Sequence, residues 1–370
     1  VGGPHDNSET GAVWVYTRSS DGVWSQQGDK LVGTGMIGGS DQAYYQAYSV
    51  ALAADGNTAI VGGFGDNFLA GAAWVFTRSG GVWTQQAKLV GSGAENAPQP
   101  AEQGVSVAIS ADGNTAIVGG PGDNWSMGAA WVFTRSADVW TQQGDKLVGT
   151  GSTWTVANPV EQGTSVALSG DGNTAIVGGP LDNAGGAGGA AWVYTRSGGV
   201  WTQQGSKLVG TGGAGGAFQG ASVALSADGN TAIVGGPFDN TETGAVWVYT
   251  RSGGVWTQQG SKLVGSGVIG GAADQGHSVS LSGDGNTAIV GGPRDGDLGA
   301  AWIFTRSGGV WTQQGDKLVG TCSIGLEEFK YPVDQGASVA LSGDGNTAIV
   351  GGPSDNSGIG AAWVFVRSTK

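Results

Sequence analysis

The chain has 370 residues, a formal charge of −13 and 75 glycines. That charge works against nucleic acid and anionic membrane surfaces, whose recognition draws on clustered Lys and Arg. No apolar run approaches the roughly 18 residues a spanning helix needs, so no membrane insertion is expected. The glycines show no period of three, which excludes collagen, and 39% of residues are hydrophobic in regular clusters, unlike a disordered tract.

In chain order, one stretch recurs, whole or in part, from end to end, and it is best read at residues 104–148. Ser106-Val107-Ala108-Ile109 is a short apolar run ending at Asp112-Gly113, a pair that favours a two-residue hairpin turn. Thr115-Ala116-Ile117-Val118 returns as a second strand, stopped by Gly119-Gly120-Pro121. A longer loop leads to Ala129-Ala130-Trp131-Val132-Phe133-Thr134, and a second tight turn opens Val139-Trp140-Thr141-Gln142. We label these strands A, B, C and D. B and C are apolar at successive positions, the pattern of a sheet covered on both faces.

Units that cannot bury their own apolar residues must stack on one another. Four-stranded meanders covered on both sides predict an all-β fold, a β-propeller. The C-strand tryptophans Trp14, Trp74, Trp131, Trp192, Trp247, Trp302 and Trp363 set the count at seven blades. The units run over about 1–47, 48–103, 104–162, 163–219, 220–275, 276–335 and 336–370 of a single domain. A β-solenoid is the rival, but its rungs are shorter and lack two hairpin turns. The ends do not tally: the first unit brings the end of B, then C and D, and the last brings A, B and C. The ring has either seven blades with incomplete ends or six, the N-terminal D strand completing the last. The start at Val1-Gly2-Gly3, within a motif and without Met, suggests processing or truncation upstream.

The segment Gly-x-Ser-Val-Ala-Leu-Ser-x-Asp-Gly-Asn-Thr-Ala-Ile-Val-Gly-Gly-Pro, followed by Gly-Ala-Ala-Trp-Val-Phe, resembles the FG-GAP repeat of integrin α-subunit propellers and bacterial surface proteins. The resemblance implies a seven-bladed propeller, secreted or displayed on the cell surface, in adhesion or, as in related propellers, in sugar binding. Many such repeats carry a calcium loop. Here the corresponding turn holds one carboxylate per repeat: Asp55, Asp112, Asp171, Asp228, Asp284 and Asp344. Calcium needs six to eight oxygens, so turn chemistry explains this Asp better and no cofactor is expected.

The A–B and C–D turns hardly vary between copies, whereas the B–C loop and the D-to-A connector vary freely. In a meander blade these two variable connections share one face of the disc, which is free to specialise. The aromatics outside repeat positions, among them Tyr44, Tyr45, Phe68, Trp125, Trp154, Phe218 and Tyr331, all fall in or beside those connections. The B–C loop also carries Asp in every copy, usually followed by Asn: Asp66-Asn67, Asp123-Asn124, Asp182-Asn183 and Asp239-Asn240. Rings beside amides and carboxylates suit sugars; alternatively the rings plug gaps and the Asp-Asn pairs cap their own backbone. The Gln that opens each A strand (Gln46, Gln103, Gln162, Gln219, Gln275, Gln335) carries the same ambiguity.

His5, His277 and Cys322 sit in no catalytic or zinc spacing, the lone Cys322 excludes an intramolecular disulfide, and no unit-specific carboxylate pair stands out. The expectation is therefore a non-enzymatic, lectin-like or adhesive propeller with repeated ligand sites and glycans or cell-surface glycoconjugates as partners. A protein-binding module of a surface adhesin is the alternative. A hydrolase with its site at the central channel comes third, to be revived by neighbouring carboxylates in a cleft.

Overall fold

The computed structural model describes residues 1–38, 43–95, 99–155, 158–183, 188–321 and 332–368. In the third repeat, A (Ser106–Ile109), B (Thr115–Gly120), C (Ala129–Ser136) and D (Val139–Gln142) form one antiparallel sheet in meander order. Register follows the tight turns: Ala116 faces Ile109, Ile117 faces Val132, and Arg135 faces Trp140. Five repeats build such four-stranded blades, and the last builds three strands (Ser338–Leu341, Thr347–Gly352, Ala361–Val366). The first repeat forms two small sheets, Gly2–Gly3 with Ala12–Val13 and Tyr16–Arg18 with Trp24–Gln26. The protein is thus an all-β propeller of four-stranded antiparallel blades.

The A strands are innermost, each lying beside the A strand of the next repeat. Ser106 Oγ donates to Gly163 O at 2.7 Å across that junction, and Ser165 Oγ donates to Gly220 O likewise. At the opposite end, the A–B turns link in series, Ala111 N to Gly170 O and Gly170 N to Ala227 O.

The core lies between blades rather than within them. Ile60, Ala73 and Val75 of one blade pack on Val107, Ala116, Val118, Trp131 and Phe133 of the next, all of them buried. The same contact recurs with Ile117, Ala130 and Val132 against Val166, Val177, Trp192 and Tyr194. Both faces of B and C are covered, which is why those strands read apolar without alternation. Each large side chain so buried contributes roughly 1.5–3 kcal/mol. Trp131 keeps its one polar atom satisfied by donating from Nε1 to Ser92 O at 2.8 Å.

The B–C loop starts with a compact turn, such as Asp66–Leu69 or Asp123–Ser126. Its middle residues are left-handed (Asn67 φ 50°, Phe68 φ 57°), so it is not a right-handed helix, and Asn at the first of these positions suits that backbone.

Candidate active site at the channel mouth

The B–C loops and D-to-A connectors do share one face, and they are tied together there. Gln103 N donates to Ala70 O at 3.0 Å, a parallel bridge joins Gly71 to Gln103, and the same bridge recurs at Gly128 with Gln162. The Gln side chains are part of this binding. Gln103 Oε1 accepts from Gly91 N at 2.6 Å while its Nε2 donates to Gly91 O at 3.1 Å. Gln46 holds Gly33 and Gln335 holds Gly320 in the same two-point grip.

The loop aspartates are engaged too. Asp66, Asp123, Asp182 and Asp239 are buried. Each is ion-paired within its own repeat, with Lys88 and Lys146 at 2.6 Å and with Lys207 and Lys262. Their other oxygens accept connector amides, as when Asp123 Oδ1 takes Glu95 N–H at 2.7 Å. These carboxylates fasten the connectors and have no free face for a ligand. Asn67, Asn183 and Asn240 are exposed and Asn124 half-buried.

Phe68 and Trp125 are exposed, and Trp154 donates from Nε1 to Trp125 O at 3.4 Å. Tyr44 is half-buried, Tyr45 stacks on Phe64 at 4.9 Å between centroids, and Phe218 packs on Phe238 at 4.8 Å. Tyr331 and Cys322 lie outside the described residues. At the A–B turn, Asp112 Oδ1 accepts from Ser110 Oγ and Asn114 N, and Oδ2 from Asn114 Nδ2. Burial pushes this carboxyl up, but the Ser110 and Asn114 bonds together outweigh it and hold the group below its ordinary range. Among the described residues no three His, Cys, Asp or Glu side chains are grouped to hold a metal.

A different set converges where the innermost strands begin. The residue just before each conserved Gln is Tyr45, Glu102, Glu161, Phe218, Asp274 or Asp334, every one with a left-handed backbone (φ 51° to 60°). Four of these amides are anchored on the B–C loop of the same unit: Tyr45 N to Glu9 O at 3.0 Å, Glu102 N to Leu69 O and Glu161 N to Ser126 O at 2.9 Å, and Asp274 N to Glu242 O at 2.8 Å. Four carboxylates and two rings therefore hold equivalent positions just before the innermost strands.

Burial raises the Glu102 carboxyl, and burial together with the charge of Glu102 raises Glu161, so these two neighbours feel each other. Asp274 is buried, its Oδ1 has no hydrogen-bond partner, and its Oδ2 lies 3.7 Å from Arg294 Nη1. Burial is the main reason its pKa stands at about 6; Arg294 pulls it down and Glu242 pushes it up. Arg294 itself bonds Glu242 Oε2 at 2.8 Å. His277, one residue before its A strand, donates its backbone N–H to Asp274 O at 3.0 Å. The surrounding protein lowers its imidazole pKa against the opposing pull of Asp334, although the residue is exposed at the surface. Asp334 Oδ2 accepts from Ser354 Oγ at 2.5 Å.

None of these carboxylates stood out in the sequence, where attention fell on the invariant Gln beside them. The available signal was acidic identity at the preceding position in four of the six aligned copies (Glu102, Glu161, Asp274, Asp334).

No family model and no curated protein matches the chain. Many solved structures are similar to it, among them three that carry lactonase names. The Pseudomonas aeruginosa periplasmic gluconolactonase PpgL is 18% identical, with 96% of this chain and 88% of that one covered at a TM-score of 0.61. A candidate 6-phosphogluconolactonase from Bacteroides uniformis is 13% identical, with 85% and 80% covered at 0.57. Another from Bacteroides fragilis is 15% identical, with 84% and 78% covered at 0.52. At these identities the likeness establishes the propeller fold.

The comparisons also correct the resemblance. The FG-GAP assignment has no family match behind it, and the propellers that superpose on the chain are lactonase-type. The lectin-like or adhesive, non-enzymatic reading and its adhesin alternative are overturned with it, since those neighbours carry the names of enzymes. The physical source of the error lies in the repeat itself. Asp-Gly turns, Gly-Gly strand ends and a buried C-strand Trp are what any tightly stacked meander blade requires, so they specify architecture rather than family.

Proposed function

We propose that the chain is a hydrolase that opens the ring of a sugar lactone at the channel mouth. The observation that carries this reading is the buried Asp274, raised to about 6 and set 3.7 Å from Arg294 just before an innermost strand, where Glu102, Glu161 and Asp334 hold the equivalent positions. The lactonase names of the similar propellers support it. Lactone opening needs a base with a pKa near the working pH and a positive group for the oxyanion. Asp274 takes a proton through Oδ2, the oxygen that faces Arg294, from water as the water oxygen attacks the carbonyl carbon. Arg294, within reach of the same position, stabilises the oxyanion. The tetrahedral intermediate collapses by breaking the bond to the ring oxygen, which recovers the proton from Asp274 and leaves a hydroxy acid.

One Arg among four carboxylates, on a chain of charge −13, favours an uncharged lactone over a phosphorylated one. We read the ring as seven-bladed, the outer strands of the first repeat occupying the seventh position. The test is the hydrolysis of glucono-1,5-lactone and its 6-phosphate, followed by base uptake against the uncatalysed rate. The expected result is acceleration of the unphosphorylated lactone, lost at least about 100-fold in Asp274→Asn. No acceleration of either lactone, or full activity in Asp274→Asn, would overturn the reading.

A further inference from the structure

On the variable face, single sheets set two side-chain positions against each other: the residue just before the conserved Gln and the residue that follows Gly-Gly-Pro. Asp274 lies 3.7 Å from Arg294, and Asp334 Oδ2 accepts from Ser354 Oγ at 2.5 Å. Phe218 packs on Phe238 with ring centroids 4.8 Å apart. In the third repeat the second position is Gly122, where a Cβ would stand 3.4 Å from the carboxyl carbon of Glu102. The pairing follows from the register. The first residue leads into an A strand and the second leaves the B strand bonded to it, so Ser222 faces Gly235 and Ser278 faces Gly291. The backbone is constant at these two positions while the chemistry changes from sheet to sheet, as in a specificity site carried on a rigid scaffold.

The sheet of Asp274 and Arg294 has the sheet of Phe218 and Phe238 on one side and that of Asp334 and Ser354 on the other, their A strands lying side by side. Glu242 ties the first two pairs together. Its N–H donates to Phe238 O at 3.4 Å, its carbonyl accepts Asp274 N–H at 2.8 Å, and its Oε2 accepts from Arg294 Nη1 at 2.8 Å. On the other side, the charge of Asp334 acts on His277, whose amide bonds Asp274 O at 3.0 Å. Phe238 keeps 38% of its surface exposed while the half-buried Phe218 backs it. Phe218 also holds a left-handed backbone (φ 58°), a costly state for an aromatic residue and one that collects at functional sites.

We infer that Phe238, backed by Phe218, is the platform on which the ring of a sugar lactone lies, with Asp334 and Ser354 taking its hydroxyls. Such a ligand has the matching surfaces: C–H bonds over its ring faces, which suit an exposed phenyl, and hydroxyls at its edge, which suit a carboxylate and a serine. The sheet between the two pairs then presents Asp274 and Arg294 to the lactone carbonyl. The platform presupposes that the mouth receives sugar lactones, as the hydrolase reading holds, and its contact is one of binding rather than chemistry.

The test measures hydrolysis of glucono-1,5-lactone and, separately, calorimetric binding of glucono-1,5-lactam, which does not hydrolyse, on the full chain and two variants. Leu181 holds the position of Phe238 in the fourth repeat, so Phe238→Leu is compatible with the fold and removes only the aromatic face. It should raise KM and the lactam Kd together by about three- to tenfold, with kcat within about twofold of the parent. Phe238→Trp, which restores a ring, should return both constants to within about twofold of the parent. An unchanged KM and lactam Kd in Phe238→Leu, a loss confined to kcat, or no lactam binding up to about 50 mM would each overturn the inference. A chain that binds the lactam through Phe238 but accelerates neither lactone would overturn the hydrolase reading and leave the platform standing.

Discussion

Asp274 and Arg294 lie 3.7 Å apart at the channel mouth, yet the guanidinium does not keep the carboxyl acidic. Arg294 is more than half exposed and bonds Glu242 at 2.8 Å, so its charge is screened by water and shared with a second carboxylate. Burial of Asp274 prevails. A carboxyl raised to about 6 in the fold, against an ordinary value near 4, holds its proton in the native state over a window where the unfolded chain has lost it.

The consequence for stability has a definite sign. Between about pH 4 and 6 the native state binds more protons than the unfolded state, so this group makes stability fall as pH rises, and its penalty is fully present above pH 6. Asp274→Asn removes the penalty without removing the polar contacts. Its Tm relative to the parent chain should rise by roughly 2 °C between pH 4 and pH 7. A Tm difference independent of pH, measured by calorimetry, would mean that Asp274 titrates normally.

The pairing of Lys146 with Asp123 supports a second prediction. Asp123 is fully buried, pairs with Lys146 at 2.6 Å and also accepts Glu95 N–H. Lys146→Met would strand a charge inside the blade junction and should cost about 3–5 kcal/mol. The double variant Lys146→Met with Asp123→Asn leaves no orphan charge and should recover much of that loss. Denaturant unfolding of the four members of the cycle measures the coupling, and an additive result would show that the pair is solvated.

Much of this architecture could be read from residue order, and most of the site could not, for one physical reason. Trp131 must be buried between sheets, Gly113 must take a left-handed turn, and Ile117 and Val118 must both be covered, so each announces its place in the blade by type alone. The loop aspartates were conspicuous because they recur, but recurrence marked the Lys–Asp fastening of each connector. Glu102 and Glu161 come close enough for the charge of one to raise the other only because consecutive blades stack side by side. Residues separated by a whole repeat become neighbours there, and no local pattern reveals it. The A–B carboxylates fall between these cases: Asp-Gly-Asn announced a turn, while the part played by Ser110 needed coordinates.

That serine supports a third prediction. Ser110 Oγ donates to Asp112 at 2.5 Å and accepts Thr115 N–H at 2.9 Å, locking the turn from both sides. Asp112 lies below its ordinary pKa, so its contribution is present above about pH 4 and is lost as pH falls through the folded value. Ser110→Ala should cost about 1–2 kcal/mol at pH 7 and less in acid, once the pH has fallen below the folded value and the carboxylate is protonated. Urea unfolding in both conditions checks it; a cost unchanged in acid would assign the whole effect to the Thr115 amide.

A further constraint in the blade is steric. Gly91 passes over Trp131 so closely that a Cβ built on it would stand 2.2 Å from Cδ1 of the indole. The ring cannot withdraw, because it is wholly buried and anchored through Nε1 to Ser92 O. The backbone cannot lift away either, because Gln103 grips the Gly91 amide and carbonyl at 2.6 and 3.1 Å. Gly91→Ala must therefore break the Gln grip or displace the Trp, and should cost about 2–4 kcal/mol. If Gln103 gives way, Gln103→Ala and Gly91→Ala will be strongly non-additive, because the second change removes a contact the first has already lost. If the indole gives way, the two costs will add and the near-UV signal of a buried tryptophan will fall in Gly91→Ala alone. A Gly91→Ala chain as stable as the parent would show that the connector has slack the packing denies it.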